Sequence, residues 1–369
     1  MILLTIIAFI VIFSVLVLVH EWGHFYFARR AGIKVEEFGI GLPPRAKAIY
    51  KDKKGTIYSL NWIPFGGYVR LYGEDAVSDK VLKAKNSFAS KTITQRSMVV
   101  VAGVMMNFIL AWVLITIGLT LGMRPFLVSE ADLNQAIEDG LVEQREIFMI
   151  HEIIPDTPLA KSDLLPGDMV TAINGQPVPE VKELAEVLVP GQPIELSILR
   201  GKRDGILTAV PNEEGKLGFS ISKAPYIVYV KDLKYPIYKA PVMALKEVGR
   251  LSYLTLDMLG DVVVSLVRKF TVPDGVAGPV GIARLTHHFT QEGVIALMQF
   301  AALLSISLGV INIMPFPALD GGRFLFILFE VILRRRPSAK WEAAAHGIGF
   351  ALLMLLILVI TWNDIVNLF

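Results

Sequence analysis

The 369-residue sequence contains no cysteine, which excludes disulfides, thiolate metal ligands and a cysteine nucleophile, and leaves the redox compartment undetermined. It also has little net charge. Lys and Arg number 36 against 34 Asp and Glu, for a net +2, so nothing in the balance points to nucleic acid as a partner. Between Met1 and Val19 there is no charged side chain at all. That stretch also lacks the basic start and the A-x-A-like end of a cleaved signal peptide, so it is expected to be a retained spanning helix. What the chain has in excess is apolar: 53% hydrophobic residues and a mean hydropathy of +0.55. Such a chain is expected to be a polytopic α-helical membrane protein with a soluble part.

His20-Glu21-Trp22-Gly23-His24 follows the uncharged stretch without a break. Helical positions four apart lie on one face, so His20 and His24 can offer two imidazole nitrogens to one metal ion, with Glu21 beside them to take a proton from water. The pattern is short, but ionisable groups are costly at membrane depth and mark function there. A zinc site inside the membrane is therefore expected.

With about 20 apolar residues per crossing, four spanning segments are expected: 1–27, 98–122, 294–333 with the crossing itself at Val294–Met314, and 341–364 with its apolar centre at Ile348–Trp362. Arg29, Arg30, Lys34, Lys91, Arg96 and Arg334 to Arg336 mark one common side, taken as cytoplasmic. Both termini and the segment from Met123 to Gly293 then lie on the other side.

In the loop 28–97, residues 56–72 carry aromatic and β-branched side chains around Pro64 and Gly66-Gly67, which predicts a membrane-associated β-hairpin. It either rests in the headgroups or dips towards the metal and offers an edge strand, around Tyr68 and Val69, to an extended substrate. In the second crossing Gly103 and Asn107 lie four apart, the pattern of close helix packing with an interhelical hydrogen bond.

The segment 123–225 has a β-rich centre from Ile150 to Ile221 containing Leu165-Pro166-Gly167-Asp168 and Ala172-Ile173-Asn174-Gly175. Asn-Gly between apolar runs predicts a tight hairpin. A helical pattern over Val181–Val189 and a strand pair at Pro193–Leu199 and Gly205–Val210 follow. This order resembles a bacterial PDZ domain. Residues 226–293 read as a strand leading into amphipathic helices that lie on the outer membrane surface or pack against the bundle.

After the third crossing comes Asn312-Ile313-Met314-Pro315-Phe316-Pro317-Ala318-Leu319-Asp320-Gly321. Two prolines two apart break the helix, and irregular backbone at this depth is tolerated only where it is buried in protein or lines a cavity. Asp320 is a candidate third ligand. Two histidines and one carboxylate leave a fourth position open, the catalytic arrangement of zinc; the alternative is a helix cap.

The His-Glu-x-x-His motif, the Asn-x-x-Pro-x-Pro-x-Leu-Asp-Gly motif and the intervening PDZ-like segment resemble the site-2 protease family of intramembrane zinc metalloproteases. Within it the chain is most similar to the regulator of sigma-E protease group, which Gly278-Pro279-Val280-Gly281 also matches. The resemblance covers nearly the whole chain. It implies one zinc ion on His20, His24 and Asp320, with Glu21 as the base and Asn312 as a substrate-contacting or oxyanion-stabilising group. It further implies cleavage of transmembrane proteins, anti-sigma factors or signal-peptide remnants, after a prior outside cut, in the inner membrane of a bacterium. The best-known enterobacterial members carry two PDZ domains in tandem, whereas this chain has room for one. A transporter would not need the two motifs together, and a non-catalytic scaffold would be expected to lack Glu21.

Overall fold

The computed structural model describes residues 2–74, 78–178, 184–201, 203–269, 273, 275–335 and 338–366. In chain order the elements are α1 (Ile2–Arg30), β1 (Val35–Lys51), β2 (Ile57–Leu71), a single turn α2 (Asp79–Leu82), α3 (Ile93–Leu121), α4 (Glu130–Glu138), β3 (Val142–Ile153), β4 (Met169–Ile173), β5 (Gln176–Pro177), α5 (Leu184–Val187), β6 (Ile194–Arg200), β7 (Arg203–Ala209), β8 (Phe219–Val230), α6 (Ala240–Lys269), α7 (Pro279–Glu292), α8 (Val294–Ile313), α9 (Asp320–Leu333) and α10 (Ala339–Val366). The chain divides into two compact units, one made of 1–123 and 233–369 and the other of 124–232.

In the first unit, α1, α3, α8 and α10 are long and apolar enough to cross a membrane, matching the four expected crossings. Thr92 starts α3 with a capping box to Gln95, which satisfies orphan backbone donors at its first turn. The prolines after α8 end it at Ile313, and the chain resumes as helix at Asp320. α6 is one 30-residue helix packed on α3 and α8, where the Trp112 indole donates to the Pro241 carbonyl at 2.8 Å. Packing against the bundle is one of the two placements open for this segment. Arg96, counted above among the basic residues that mark one side, is 4% exposed and grips Glu330 of α9 through two bonds of 2.7 and 2.9 Å. That pair ties α9 to α3.

The expected hairpin forms with a different turn. β1 and β2 are antiparallel and join through residues 52–56, whereas Pro64 to Gly67 lies within β2. Phe38 pairs with both Tyr58 and Val69, and Gly39 with both Ser59 and Tyr68. Residues 35–40 therefore lie between the two ends of β2, so those ends do not pair with each other as the 56–72 reading required. Residues 67–71 form an outer edge. Buried Glu37 holds this small sheet together. Its carboxylate accepts from Arg45 at 2.7 Å and Ser59 at 2.7 Å, and Arg70 stands 3.8 Å away. Burial pushes its pKa up, but the bonds from Arg45, Ser59 and Tyr68 outweigh that and hold it at about 2.

The second unit is a six-stranded sheet in the order β7-β6-β4-β3-β8, with β5 paired to β4. Asn174 and Gly175 both have positive φ (51° and 73°) at the β4–β5 turn, as the Asn-Gly signal requires. The core is built from Phe148, Ile150, Leu159, Val170, Leu196 and Leu217. β8 runs through the boundary expected at 225 because its whole length pairs with β3. The helical pattern at Val181–Val189 falls partly outside the described residues, and Leu184–Val187 is helical.

Candidate metal centre

His20 and His24 sit one turn apart on the buried face of α1 (7% and 8% exposed), and Asp320 is the first residue of α9. The Pro-Phe-Pro loop brings them together. Nε2 of His20 lies 3.1 Å from Nε2 of His24, and Oδ2 of Asp320 lies 3.0 and 3.3 Å from the two nitrogens. Four ligands about 2.0–2.1 Å from zinc in a tetrahedron stand about 3.3 Å from one another. The triangle has that size, so its three atoms fit a single ion of this kind. Asp320 is not a helix cap. Leu319 holds the cap position and no side-chain cap bond forms.

Both imidazoles are oriented from behind. The Nδ1 of His24 donates to the Val99 carbonyl at 2.8 Å, which leaves Nε2 as the lone-pair nitrogen. The Nδ1 of His20 stands 3.1 Å from Nδ2 of the side-chain amide of Asn107, which is fully buried. Turning the amide over would set its oxygen, buried without a partner, against the ring to accept from Nδ1–H. Asn107 was read from the sequence as a packing residue, and its backbone does serve that role by accepting from Ser305 of α8 at 2.8 Å. Its second contact was missed, because four-residue spacing on α3 says nothing of which helix lies opposite.

Two glycines let α1 and α3 approach. A Cβ on Gly23 would fall 2.5 Å from the Ala102 carbonyl oxygen, and one on Gly103 would fall 2.4 Å from Nε2 of His24. A third glycine allows the loop to fold back. At Gly321 a Cβ would lie 2.2 Å from the carbonyl oxygens of Ile313 and Met314.

The other residues singled out from the sequence divide. Glu21 accepts the Val69 N–H on Oε2 at 2.9 Å, so the edge 67–71 of the sheet reaches the carboxylate beside the two histidines. The Tyr68 ring points to the Glu37 cluster, with Arg70 stacked 5.8 Å from its centre. Asn312 is half-buried one residue before the end of α8, and among the described residues no hydrogen bond ties its amide to the three clustered side chains.

Fold and site together define a multi-pass helical membrane protein with a two-histidine, one-carboxylate centre on its first helix. The model of peptidase family M50 matches residues 8–356, and the chain belongs to that family. The membership in the site-2 protease group expected from the motifs is thereby borne out. Similar proteins include zinc metalloprotease RasP of Shouchella clausii, 32% identical with 99% of both chains covered, and the regulator of sigma-W protease RasP of Bacillus subtilis, 30% identical with the same coverage. A putative zinc metalloprotease of Clostridium perfringens is 33% identical over 96% of each chain. The chain is a metalloprotease, a hydrolase of peptide bonds.

Proposed function

We propose that this chain is an intramembrane zinc metalloprotease that cuts single-span membrane proteins, either anti-sigma factors or remnant signal peptides, after a prior extracytoplasmic cleavage. The observation that carries this reading is the triangle of His20, His24 and Asp320 beside a carboxylate that is itself bonded to a sheet edge. His20, His24 and Asp320 would hold one zinc ion, which when bound would supply Lewis-acid polarisation of the scissile carbonyl and bring the pKa of a water down to about 7. Glu21 is the base. The Val69 N–H holds its Oε2, which leaves Oε1 to accept the proton from water and return it to the leaving nitrogen. Asn107 and the Val99 carbonyl keep the two histidines in the tautomer that presents Nε2. Asn312, whose amide makes no side-chain hydrogen bond among the described residues, contacts the substrate or its developing oxyanion.

A substrate helix satisfies its own backbone, so a stretch must be drawn out before the peptide bond can be attacked. The edge 67–71, with Tyr68 and Val69 at its centre, replaces the lost helical bonds by strand addition. The unit 124–232 is PDZ-like in strand order and turn chemistry, and it restricts entry to substrates already trimmed. The basic residues at the end of α1 support a metal near the cytoplasmic face of a bacterial inner membrane, with both termini and the PDZ-like unit outside.

The deciding experiment compares the parent with Glu21→Gln on a single-span substrate in detergent, with bound zinc assayed in both. Cleavage by the parent alone with zinc retained in each is the expected result; cleavage by both removes Glu21 from its role.

A further inference from the structure

Exposed side chains recur along one face of α1. Val11, Val15, Trp22, Tyr26 and Arg30 recur on it at helical spacing, with Trp22 52% and Tyr26 46% exposed. The surface is hollowed at the end of this face. A cleft of about 450 Å³ is lined by Trp22, Phe25, Tyr26, Arg29, Arg30 and Lys54. A second, of about 340 Å³, shares Arg29 and Lys54 with it and adds Lys34. Lys54 comes from the turn between β1 and β2, so two separate parts of the chain converge on the same space.

Most of the charge here lacks a counter-ion among the described residues. Arg29 is held by Asp52 at 2.5 Å, but among the described residues Arg30, Lys34 and Lys54 have no carboxylate partner, and no carboxylate lines either cleft. Among the described residues Arg30 reaches the Tyr26 hydroxyl, at 3.4 Å. An apolar ladder, then an indole and a phenol, then paired cations is the order in which a phospholipid presents its chains, its interface and its phosphate. We propose that these clefts bind the phosphate of an anionic phospholipid whose chains lie along Val11 and Val15. A free phosphate would use the cations and leave the ladder idle. Phe25, on the cleft wall, packs against Phe38 and Tyr58 with ring centres 5.2 and 6.2 Å apart. The bound headgroup thus sits at the joint between α1 and the sheet whose far edge touches Glu21. The inference rests on α1 spanning the bilayer and does not depend on the protease reading.

The test uses Trp22 fluorescence of the full chain in phosphatidylcholine bilayers, taken as the parent signal minus that of Trp22→Phe. Phosphatidylglycerol or phosphatidylcholine with brominated chains is added as quencher. The expected result is half-maximal quenching by the anionic lipid at a mole fraction many times lower than by the zwitterionic one. Arg30→Gln with Lys54→Gln removes that preference, each cation accounting for about fivefold and the two for about thirtyfold. Quenching of the double variant by brominated phosphatidylcholine verifies that it is inserted. Equal quenching by the two lipids in the parent overturns the proposal. Displacement of the anionic lipid by inorganic phosphate overturns it in favour of a phosphate site, and displacement by a single-span helical peptide in favour of a protein-docking face.

Discussion

Gly103→Ala puts the proposed site to its most direct test, because one methyl group acts on both histidines. The new Cβ would lie 2.4 Å from Nε2 and 2.5 Å from Cε1 of His24, and 2.9 Å from Cε1 of His20. Ordinary carbon contacts begin about 3.5 Å apart, so the His24 ring must retreat by about 1 Å. It cannot do so freely, since its Nδ1 is fixed on the Val99 carbonyl at 2.8 Å. Displacing an orienting contact of this kind typically costs 10- to 100-fold in metal affinity, about 1.4–2.7 kcal/mol. A misplacement of about 1 Å costs a further 100-fold in turnover. Helix propensity works in the opposite direction, because Ala is favoured over Gly by about 1 kcal/mol in a helix interior. Loss of function with unchanged helicity therefore isolates the clash. Zinc affinity by competition with a chelator, cleavage of a single-span substrate and circular dichroism make the assay. Gly249→Ala on α6, where a Cβ meets nothing within 4 Å, is the control and keeps full affinity. Parent-like zinc affinity and turnover in Gly103→Ala would refute the reasoning.

Other consequences are as concrete. Asn107→Leu removes the partner of His20 Nδ1 and lowers zinc affinity about tenfold, whereas Ser305→Ala, which touches only the Asn107 backbone, leaves it unchanged within twofold; both are read by chelator competition. Val69→Pro deletes the N–H donated to Glu21 and the centre of the sheet edge, so cleavage falls while zinc content stays constant. Asp168 in the second unit is buried, accepts from Arg200 at 2.6 Å and from the Leu165 N–H at 2.8 Å, and these bonds hold its pKa below the usual carboxylate range. A group depressed in this way adds stability above the ordinary carboxylate pKa and loses it as pH falls through its folded value. Asp168→Asn therefore flattens the acid limb of a melting profile below the ordinary carboxylate pKa of about 3.9. Residues Met123 and Leu233 form an antiparallel bridge through bonds of 3.1 and 2.7 Å, so the ends of the inserted unit are already joined. Excision of 124–232 with a short linker should leave zinc bound and admit untrimmed substrates; continued rejection of them by the folded deletion sinks the filter.

Much of the site was legible because its parts obey local rules. His20 and His24 share a helix face by spacing alone, and the prolines at 315 and 317 force the break that delivers Asp320. Asn174-Gly175 announced its own turn through the positive φ it tolerates. What escaped depends on partners distant in sequence. Arg96 could be counted towards one side of the membrane, but its counter-ion, Glu330, lies 234 residues away where no local rule points. Asn107 could be assigned an interhelical bond, but not the imidazole that shares it.

The sheet beside Glu21 shows the same limit in its strongest form. Residues 56–72 carry the aromatic and β-branched pattern of a hairpin, with a Pro-Gly turn at the right place. The strand that lies between its two ends reads Val-Glu-Glu-Phe-Gly-Ile-Gly-Leu, and its glycines and paired acids argue against a central strand. Close packing supplies the reason for each exception. A Cβ on Gly39 would lie 2.3 Å from the Tyr68 ring, and Glu37 is buried only because Arg45, Ser59 and Tyr68 converge on it. Residues that weaken a strand in isolation are thus the ones that let the 67–71 segment pack closely and remain an edge. If so, Gly39→Val, which raises β-propensity, must push Tyr68 outward and break the Val69–Glu21 bond. Amide exchange at Val69 should rise about tenfold for the loss of one charged hydrogen bond, with zinc binding unaltered. Parent-like protection in that variant would mean that the edge is held by something other than this packing.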